Sequence, residues 1–236
     1  MHGSSASTVI LHQPGKARVF DPDCTACPRL AGFLAQVRTD HPGYHARPVA
    51  PFGAARADLL VVGLAPGMHG ANRTGRPFTG DFAGVLLYRT LYKFGFANHA
   101  GSADPADRLA LKGCRVTNAV KCLPPQNKPA ADEVRRCNHF LAAEIAAVAP
   151  RALLALGVLA HGAVLQACGL KASAFAFAHG AVHDLPLPVP ARAGAAGLRL
   201  FDSYHCSRYN TQTRRLTEDM FEAVMRDIAA FLSRSR

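Results

Sequence analysis

Four of the seven cysteines have the spacing of a metal site. Cys24 and Cys27 form the motif CTAC, and Cys122 and Cys137 flank the segment LPPQNKPAADEVRR. Four thiolates suit either a zinc ion or a 4Fe-4S cluster, because both are bound by sulfur ligands. A CxxC pair with two distant single cysteines does not choose between these metals, so the spacing alone leaves both open.

Polar residues gather in three loops, each of which follows an apolar, strand-like run. The loops are GLAPGMHGANRTGRPFTGD (63–81), NAVKCLPPQNKP (118–129) and YHCSRYNTQTRRLT (204–217). The first loop is rich in glycine but contains neither the P-loop motif GxxxxGKS/T nor the dinucleotide-binding motif GxGxxG. The chain also lacks the HxE…PCxxC signature of zinc deaminases. These absences argue against P-loop nucleotide hydrolysis and against zinc deamination.

Apolar runs and helical periodicity predict the elements that position these loops. Strands are predicted over 57–63, 114–120, 151–157 and 198–205, and helices over 80–95, 131–148, 158–169 and 215–233. This alternation predicts a three-layer α/β/α sandwich with a central, mainly parallel four-stranded sheet. The carboxyl ends of parallel strands lie at one edge of a sheet, so the three loops should meet there and form the site.

The length and composition allow one substantial core, since the chain has 236 residues and is 49% hydrophobic. We predict a flexible N-terminal segment over 1–20 and a single domain over 21–236. Residues 171–198 are rich in alanine, proline and glycine and are predicted to be irregular.

The charge bears on partners and on the cellular compartment. A formal net charge of +11, spread along the chain, favours a polyanionic partner because phosphate backbones release counterions to bound cations. A solvated basic surface is the alternative interpretation.

No apolar run is long enough to span a bilayer, and the first residues lack the features of a signal peptide. We therefore expect a cytoplasmic protein without membrane contact, whose cysteines do not form a disulfide framework.

In order and spacing, the three loops and the four cysteines resemble those of the uracil-DNA glycosylase superfamily, and within it the family 5 (type B) enzymes. The resemblance runs from Cys24 to the final predicted helix and departs at Cys206, where the family usually has His-Pro-Ser. It implies an enzyme that flips uracil, and other deaminated bases, out of DNA and hydrolyses the N-glycosidic bond to leave an abasic site. It also implies that the four cysteines hold a structural 4Fe-4S cluster, which makes zinc the less favoured metal.

The resemblance implies which side chains break the bond. Bond cleavage makes the sugar cationic and the base anionic, so the site needs a donor for the base, a group that holds water and a stacking surface. Where most relatives carry a polar or acidic residue after the first strand, this chain has Leu64 and Ala65. The acid is therefore assigned to Asp81, whose alternative role is to cap the helix beside it. The loop then binds through its backbone at Gly63, Ala65 and Gly67.

The base would be recognised by Asn118, His205 and Phe78. Asn118 would donate to O4 of uracil and accept from N3–H, a pattern that cytosine does not offer. His205 would donate to O2 of the leaving base, and Phe78 would stack on it. Taken alone, each residue type has a commoner role: a turn-capping asparagine, a core or surface histidine, and a core phenylalanine.

The DNA backbone and groove would be contacted by the third loop. Ser207, Arg208 and Tyr209 lie where this loop would press into the minor groove, a task that often uses bulky and arginine side chains. Simple exposure to solvent is the alternative. We expect a monomer that binds damaged duplex DNA, which associates it with the nucleoid; the sequence leaves binding of single strands open.

Two other classes of function remain compatible with the sequence. The first is a nucleic-acid-binding protein of the same fold without turnover, which the apolar GLAPG stretch and the altered HCS loop keep open. The second is a zinc-dependent hydrolase of small nucleotides. Release of uracil from an oligonucleotide distinguishes a monofunctional glycosylase from the binding protein without turnover. The visible absorbance of the purified protein distinguishes it from the zinc-dependent hydrolase.

Overall fold

A six-stranded sheet with helices on both faces forms the centre of the computed structural model, which describes residues 19–186 and 197–234. The strands are β1 (Phe52–Gly53), β2 (Leu59–Gly63), β3 (Cys114–Asn118), β4 (Ala152–Leu156), β5 (Val182–Leu185) and β6 (Leu198–Ser203). The helices are α1 (Pro28–Asp40), α2 (Ala71–Thr74), α3 (Phe82–Lys93), α4 (Ala131–Val148), α5 (Val158–Ala167), α6 (Arg208–Gln212) and α7 (Glu218–Ser233).

The predicted fold class is confirmed, but the predicted number of strands is wrong. The strand order is β1-β3-β2-β4-β6-β5, and the four central strands, which are the predicted ones, run parallel. The two edge strands, β1 and β5, pair antiparallel with their neighbours. β1 has only two residues and therefore no periodic pattern to detect. β5 lies inside the segment that was predicted to be irregular, and only Leu185 of its four residues is buried.

Strand β2 shows why the sheet is covered on both faces. Every residue of LLVVG is buried, as is typical of a parallel strand in the middle of a sheet. Leu59 and Val61 pack in the core that includes α3 and α7, whereas Leu60 and Val62 pack in the core that includes α4 and α5. The two-residue period of the strand thus divides its side chains between two cores.

Helix α1 was not predicted, although the sequence contains its signal. Pro28 occupies the first turn, where a missing backbone N–H costs nothing. Leu30, Leu34 and Val37 are buried at the three- and four-residue steps of one helical face. They pack against Val120 and neighbouring residues in the loop after β3, in a third apolar core.

The predicted helices are all present, and α4 has the predicted bounds; the other three are a little shorter than predicted. The predicted N-terminal segment lies almost wholly outside the described residues, as does 187–196 within the segment that was predicted to be irregular. Across the described ranges, no helix is long and apolar enough to cross a membrane.

Candidate active site and cysteine cluster

A cavity of about 390 Å³ lies at the carboxyl edge of the parallel strands, where the three loops meet as predicted. All three loops contribute to its lining. The predicted site residues that line it are Ala65, Gly67, Phe78, Asp81, Asn118, His205, Ser207 and Arg208. The sheet thus brings residues that are far apart in the sequence to one place.

Two predicted site residues, Gly63 and Tyr209, are not among the lining residues. Gly63 lies beneath the cavity, where a Cβ atom would come within 2.5 Å of both Asn118 Oδ1 and the Phe78 ring. Its role is therefore to let those two side chains approach the strand. Tyr209 lies on α6 with 70% of its surface exposed, so it is available at the molecular surface but outside the cavity.

Several lining residues were not predicted to bind substrate. They are Leu64, Ala71, Phe82, Ala83 and Asn127. Asn127 is the polar member of this set, and it has the positive backbone angle φ of 57°. It belongs to the proline-rich second loop, which was predicted to reach the site, but no role was predicted for this residue.

Asn118 is the last residue of β3, and its side chain is almost fully buried, with 4% exposure. Its Oδ1 atom has no hydrogen-bond partner among the described residues. A buried amide oxygen without a partner loses the free energy of a hydrogen bond to water, so such atoms are rare in folded proteins. Because Asn118 lines the cavity, a ligand that carries an N–H group would satisfy this oxygen.

His205 lies half-buried in the loop after β6, with its ring centroid 6.0 Å from that of Phe78. Burial lowers the pKa of His205 from its ordinary value, so the imidazole is neutral at pH 7. Within the described ranges its ring nitrogens have no hydrogen-bond partner, so no protein acceptor fixes its tautomer. The backbone carbonyl of His205 accepts a hydrogen bond of 2.9 Å from Asn210 Nδ2, which holds the loop in place.

Asp81 caps helix α3 and also lines the cavity. Its Oδ1 atom accepts a hydrogen bond of 2.9 Å from the backbone N–H of Gly84. Its Oδ2 atom faces the first loop, because a Cβ atom on Gly70 would come within 2.4 Å of it. Burial raises the pKa of Asp81, and the backbone hydrogen bonds oppose that rise. One carboxylate oxygen is therefore used by the helix, whereas the other faces the loop that lines the cavity.

Phe78 belongs both to the core and to the cavity wall. It is 5% exposed and packs in the core on the α3 side of the sheet. Its φ of 53° lies in the left-handed region, which costs a bulky residue conformational energy. Ser102 Oγ donates to the Phe78 carbonyl over 3.2 Å, and Gly84 leaves room for that carbonyl. The surrounding contacts thus hold the ring at the cavity wall.

The third loop reaches the rim of the cavity through α6. The hydroxyl of Ser207 accepts from the backbone N–H of Asn210 over 3.3 Å and caps that helix. Arg208 is exposed, and its guanidinium carbon lies 5.5 Å from the ring centroid of Phe82, which is 41% exposed. An arginine on an aromatic ring at a cavity mouth is suited to contact a phosphate or a base.

The four cysteines with metal-site spacing lie together around a second pocket. Cys24, Cys27, Cys122 and Cys137 all line it, although they come from a loop, the start of α1, the loop after β3, and α4. The backbone N–H of Lys121 lies 3.4 Å from Cys137 Sγ. Burial and the neighbouring thiols raise the pKa of Cys122 to about 12. A positive metal centre between them would let these thiols ionise together.

The spacing of the sulfur atoms bears on the kind of metal. Among the described residues, no three of these cysteines have Sγ atoms that all lie within 4.8 Å of one another. A tetrahedral zinc ion with bonds of about 2.3 Å requires sulfur atoms about 3.8 Å apart. These thiols therefore do not stand at the sulfur spacing of a single zinc ion. Cys114 and Cys168 are buried in the apolar cores, apart from these four cysteines.

Comparison with known proteins gives one consistent result. The family model described as the uracil DNA glycosylase superfamily matches residues 50–229. The Type-5 uracil-DNA glycosylase of Pyrobaculum aerophilum is 42% identical over 212 residues, which are 88% of this chain and 88% of that protein. The Type-5 uracil-DNA glycosylase of Thermus thermophilus is 44% identical over 208 residues, which are 86% of this chain and 90% of that protein. The Type-5 enzyme of Mycobacterium tuberculosis is 40% identical over 214 residues, which are 86% of this chain and 76% of that protein.

Proposed function

The chain belongs to the uracil DNA glycosylase superfamily and within it to family 5, and we propose that it excises uracil from DNA. The reaction is hydrolysis of the N-glycosidic bond, which releases the base and leaves an abasic site. We extend the proposal to other deaminated bases, which share the exocyclic carbonyl that deamination creates. The DNA must first present the base in the cavity, because the bond is not accessible within a stacked duplex.

The observation that carries this proposal is the buried, unpartnered Oδ1 of Asn118, a residue that lines the cavity. Uracil offers an N3–H donor beside its O4 acceptor, so one amide group can accept from the first and donate to the second. Cytosine has an unprotonated N3 and an amino group at those positions, so an amide in the orientation that suits uracil would face a lone pair at N3 and leave Oδ1 without a donor. The buried amide thus supports selection of uracil over cytosine.

His205 and Phe78 complete the binding of the base in this proposal. A neutral imidazole N–H of His205 would donate to O2 of uracil as negative charge develops on the leaving base. The burial that lowers its pKa supports the neutral form. Phe78 offers a ring surface against which a flipped base can stack.

Water activation is assigned to Asp81. Leu64 and Ala65 line the cavity without a group that could orient water. The carboxylate of Asp81 would hold the attacking water and stabilise the cationic sugar. The backbone at Gly63, Ala65 and Gly67 would allow the first loop to approach the sugar phosphate closely.

The two lysines of the second loop support hydrolysis without strand cleavage. Lys121 is 2% exposed, and its Nζ atom lies 3.0 Å from a carboxylate oxygen of Glu144 and 2.5 Å from the Thr117 hydroxyl. Lys128 is exposed and does not line the cavity. Neither is placed to form a Schiff base with the sugar, which supports a monofunctional glycosylase.

We propose that the four cysteines hold a 4Fe-4S cluster with a structural role. The four thiols that line the pocket and the N–H of Lys121 beside Cys137 fit such a group. Bound there, the cluster would supply a cross-link between distant segments. The cysteine pocket shares no lining residue with the active-site cavity, which disfavours a zinc-dependent hydrolase.

The remaining assignments stay proposals. Ser207, Arg208 and Tyr209 would contact DNA at the rim of the cavity. The enzyme would act as a monomer with a single domain over 21–236, in the cytoplasm and at the nucleoid.

Single-turnover excision of uracil from a duplex oligonucleotide tests the proposed function. Asn118→Ala and His205→Ala should each slow excision by about 10²-fold or more, because each removes a group that stabilises developing charge. Binding of the duplex should change little, since most of its affinity comes from phosphate contacts. Asn98→Ala, which alters an exposed asparagine that does not line the cavity, is the matched control and should keep the wild-type rate. A wild-type protein that binds the duplex but releases no base would establish the binding protein without turnover.

A further inference from the structure

Two histidines and an aspartate that the proposed function does not use form a cluster next to strand β6. His161 lies on α5, His183 on β5 and Asp202 on β6. One potential ligand atom from each lies within 4.8 Å of the other two. Asp202 is fully buried and His161 is 3% exposed. None of the three lines the active-site cavity or the cysteine pocket.

The hydrogen bonds of His161 fix which of its nitrogens faces the carboxylate. Its Nε2 atom lies 2.9 Å from the backbone carbonyl oxygen of Phe175, so Nε2 carries a hydrogen and donates it. Its Nδ1 atom lies 2.9 Å from Asp202 Oδ1. In the neutral ring, Nδ1 therefore directs a lone pair at a carboxylate oxygen. A cation must lie between these two atoms, and it is either a proton or a metal ion.

The second histidine completes a set of three donors. His183 Nε2 lies 3.2 Å from Asp202 Oδ2, so the two imidazoles approach opposite oxygens of the same carboxylate. The side chain of His183 is 15% exposed, which gives an ion a route from solvent to the cluster. The rings of Phe175 and Phe177 pack edge-on against His183 and His161 respectively and cover the site.

We propose that His161, His183 and Asp202 form a binding site for one Zn²⁺ ion, separate from the cysteine cluster. Two imidazoles and a carboxylate are a donor set that zinc accepts, with bonds of about 2.0–2.2 Å. The hydrogen bond from His161 to a backbone carbonyl is the outer-shell contact that orients zinc-bound histidines. The ligands come from three neighbouring elements, so the ion acts as a structural cross-link.

The position of the site explains what the ion would stabilise. Asp202 precedes His205 by three residues on the same strand and loop. The backbone N–H of Gly180 donates to the Asp202 carbonyl over 2.9 Å, and His179 accepts from the N–H of Tyr204 over 3.2 Å. The ion would therefore anchor the end of β6, from which the proposed base-binding histidine extends.

Zinc binding and thermal unfolding of the full chain, with its cysteine site intact, test this proposal. Wild-type protein exposed to excess Zn²⁺ and then desalted should retain one more zinc per chain than His183→Ala or Asp202→Asn. At a free zinc concentration about 100-fold above Kd, the melting temperature of the wild type should rise by about 5–10 °C. Neither variant should show that rise, and EDTA should reverse it in the wild type. His69→Ala, which removes an exposed histidine elsewhere, should behave as the wild type.

X-ray absorption at the zinc edge distinguishes this site from zinc bound by cysteines. The proposal requires nitrogen and oxygen neighbours near 2.0–2.2 Å, whereas zinc in the cysteine pocket would show sulfur near 2.3 Å. Visible absorbance near 400 nm that is unchanged by His183→Ala would show that the cysteine site is unaffected. Equal zinc retention and equal melting shifts in the wild type and both ligand variants would overturn the proposal. Purely sulfur coordination would overturn it too, and a proton would then bridge His161 and Asp202.

Discussion

At the scale of single residues, the carboxylate of Asp81 has a structural task and, in our proposal, a chemical one. One oxygen accepts from the N–H of Gly84 at the start of α3, and the other faces the first loop. These tasks can be separated because capping needs an acceptor, whereas holding water beside a cationic sugar benefits from a negative charge. Asparagine keeps the acceptor and removes the charge.

Asp81→Asn should therefore reduce activity without unfolding the protein. We expect single-turnover uracil release to fall by about 10²-fold, since the charge that orients water is lost. The free energy of unfolding should fall by no more than about 1 kcal/mol, because asparagine caps helices as well as aspartate does. Rate and melting temperature measured on the same preparation check both. Wild-type activity in Asp81→Asn would leave Asp81 with the capping role alone.

The pH dependence of the same variant gives a second test. Burial raises the pKa of Asp81, so this carboxylate is protonated at a higher pH than an ordinary aspartate. The rate of the wild type should thus fall on acidification as pH passes down through that raised pKa. Burial lowers the pKa of His205 from its ordinary value, and protonation of its neutral imidazole should add an acid limb of its own. Asp81→Asn should lose the limb that belongs to the carboxylate; an unchanged pH profile would contradict the assignment.

At the scale of elements, the cysteine pocket ties α1 to the rest of the chain. Two of its cysteines lie at or before the start of α1, and the others follow β3 or lie on α4. Arg29 on α1 also pairs with the buried carboxylate of Glu133 on α4 over 2.6 Å. The helix is thus held by an ion pair, an apolar contact and, in our proposal, a cluster.

Cys122→Ala should remove the cluster and loosen α1. We expect loss of the absorbance near 400 nm that thiolate-bound iron produces, together with faster hydrogen exchange over residues 24–40. Cys168→Ala is the matched control, because Cys168 is a buried cysteine in the core that includes α5 and should leave the absorbance unchanged. A colourless wild-type protein with one zinc per four cysteines would contradict the cluster.

Elements with a clear period could be predicted from sequence, and those without one could not. The helix over 131–148 was predicted with its bounds because its buried residues recur at helical steps. The edge strand β5 shows no such pattern, because its pairing with β6 is set by tertiary structure and most of its side chains are exposed. Helix α1 was missed even though Leu30, Leu34 and Val37 formed a readable face.

At the scale of the whole molecule, the site is a product of topology. Asn118 ends a parallel strand, and Asp81 and His205 lie in loops that follow two others, so the parallel strands alone predict that the three meet. The positive φ of Phe78, the unpartnered oxygen of Asn118 and the His161–Asp202 contact depend on exact packing. No periodic pattern in the sequence encodes such contacts, which is why they emerged only from the structure.

The net charge of +11 should attract DNA to any part of the surface, yet only contacts at the cavity rim should be specific to the proposed complex. The salt dependence of affinity separates the two, because each phosphate contact adds about 0.9 to the slope of log K against log salt concentration. Arg208→Ala should lower that slope by about 1 when affinity for a duplex is measured over a range of salt concentrations.

Arg234→Ala is the matched control. Arg234 directly follows α7, and the carbonyl of Leu232 near the end of that helix accepts a hydrogen bond from Arg151. Arg151 precedes β4 at its amino end, so Arg234 lies at the sheet edge opposite the cavity. It carries the same charge and should leave the slope unchanged. Equal changes in the slope for both variants would mean that DNA binds through diffuse charge and that Arg208 makes no phosphate contact.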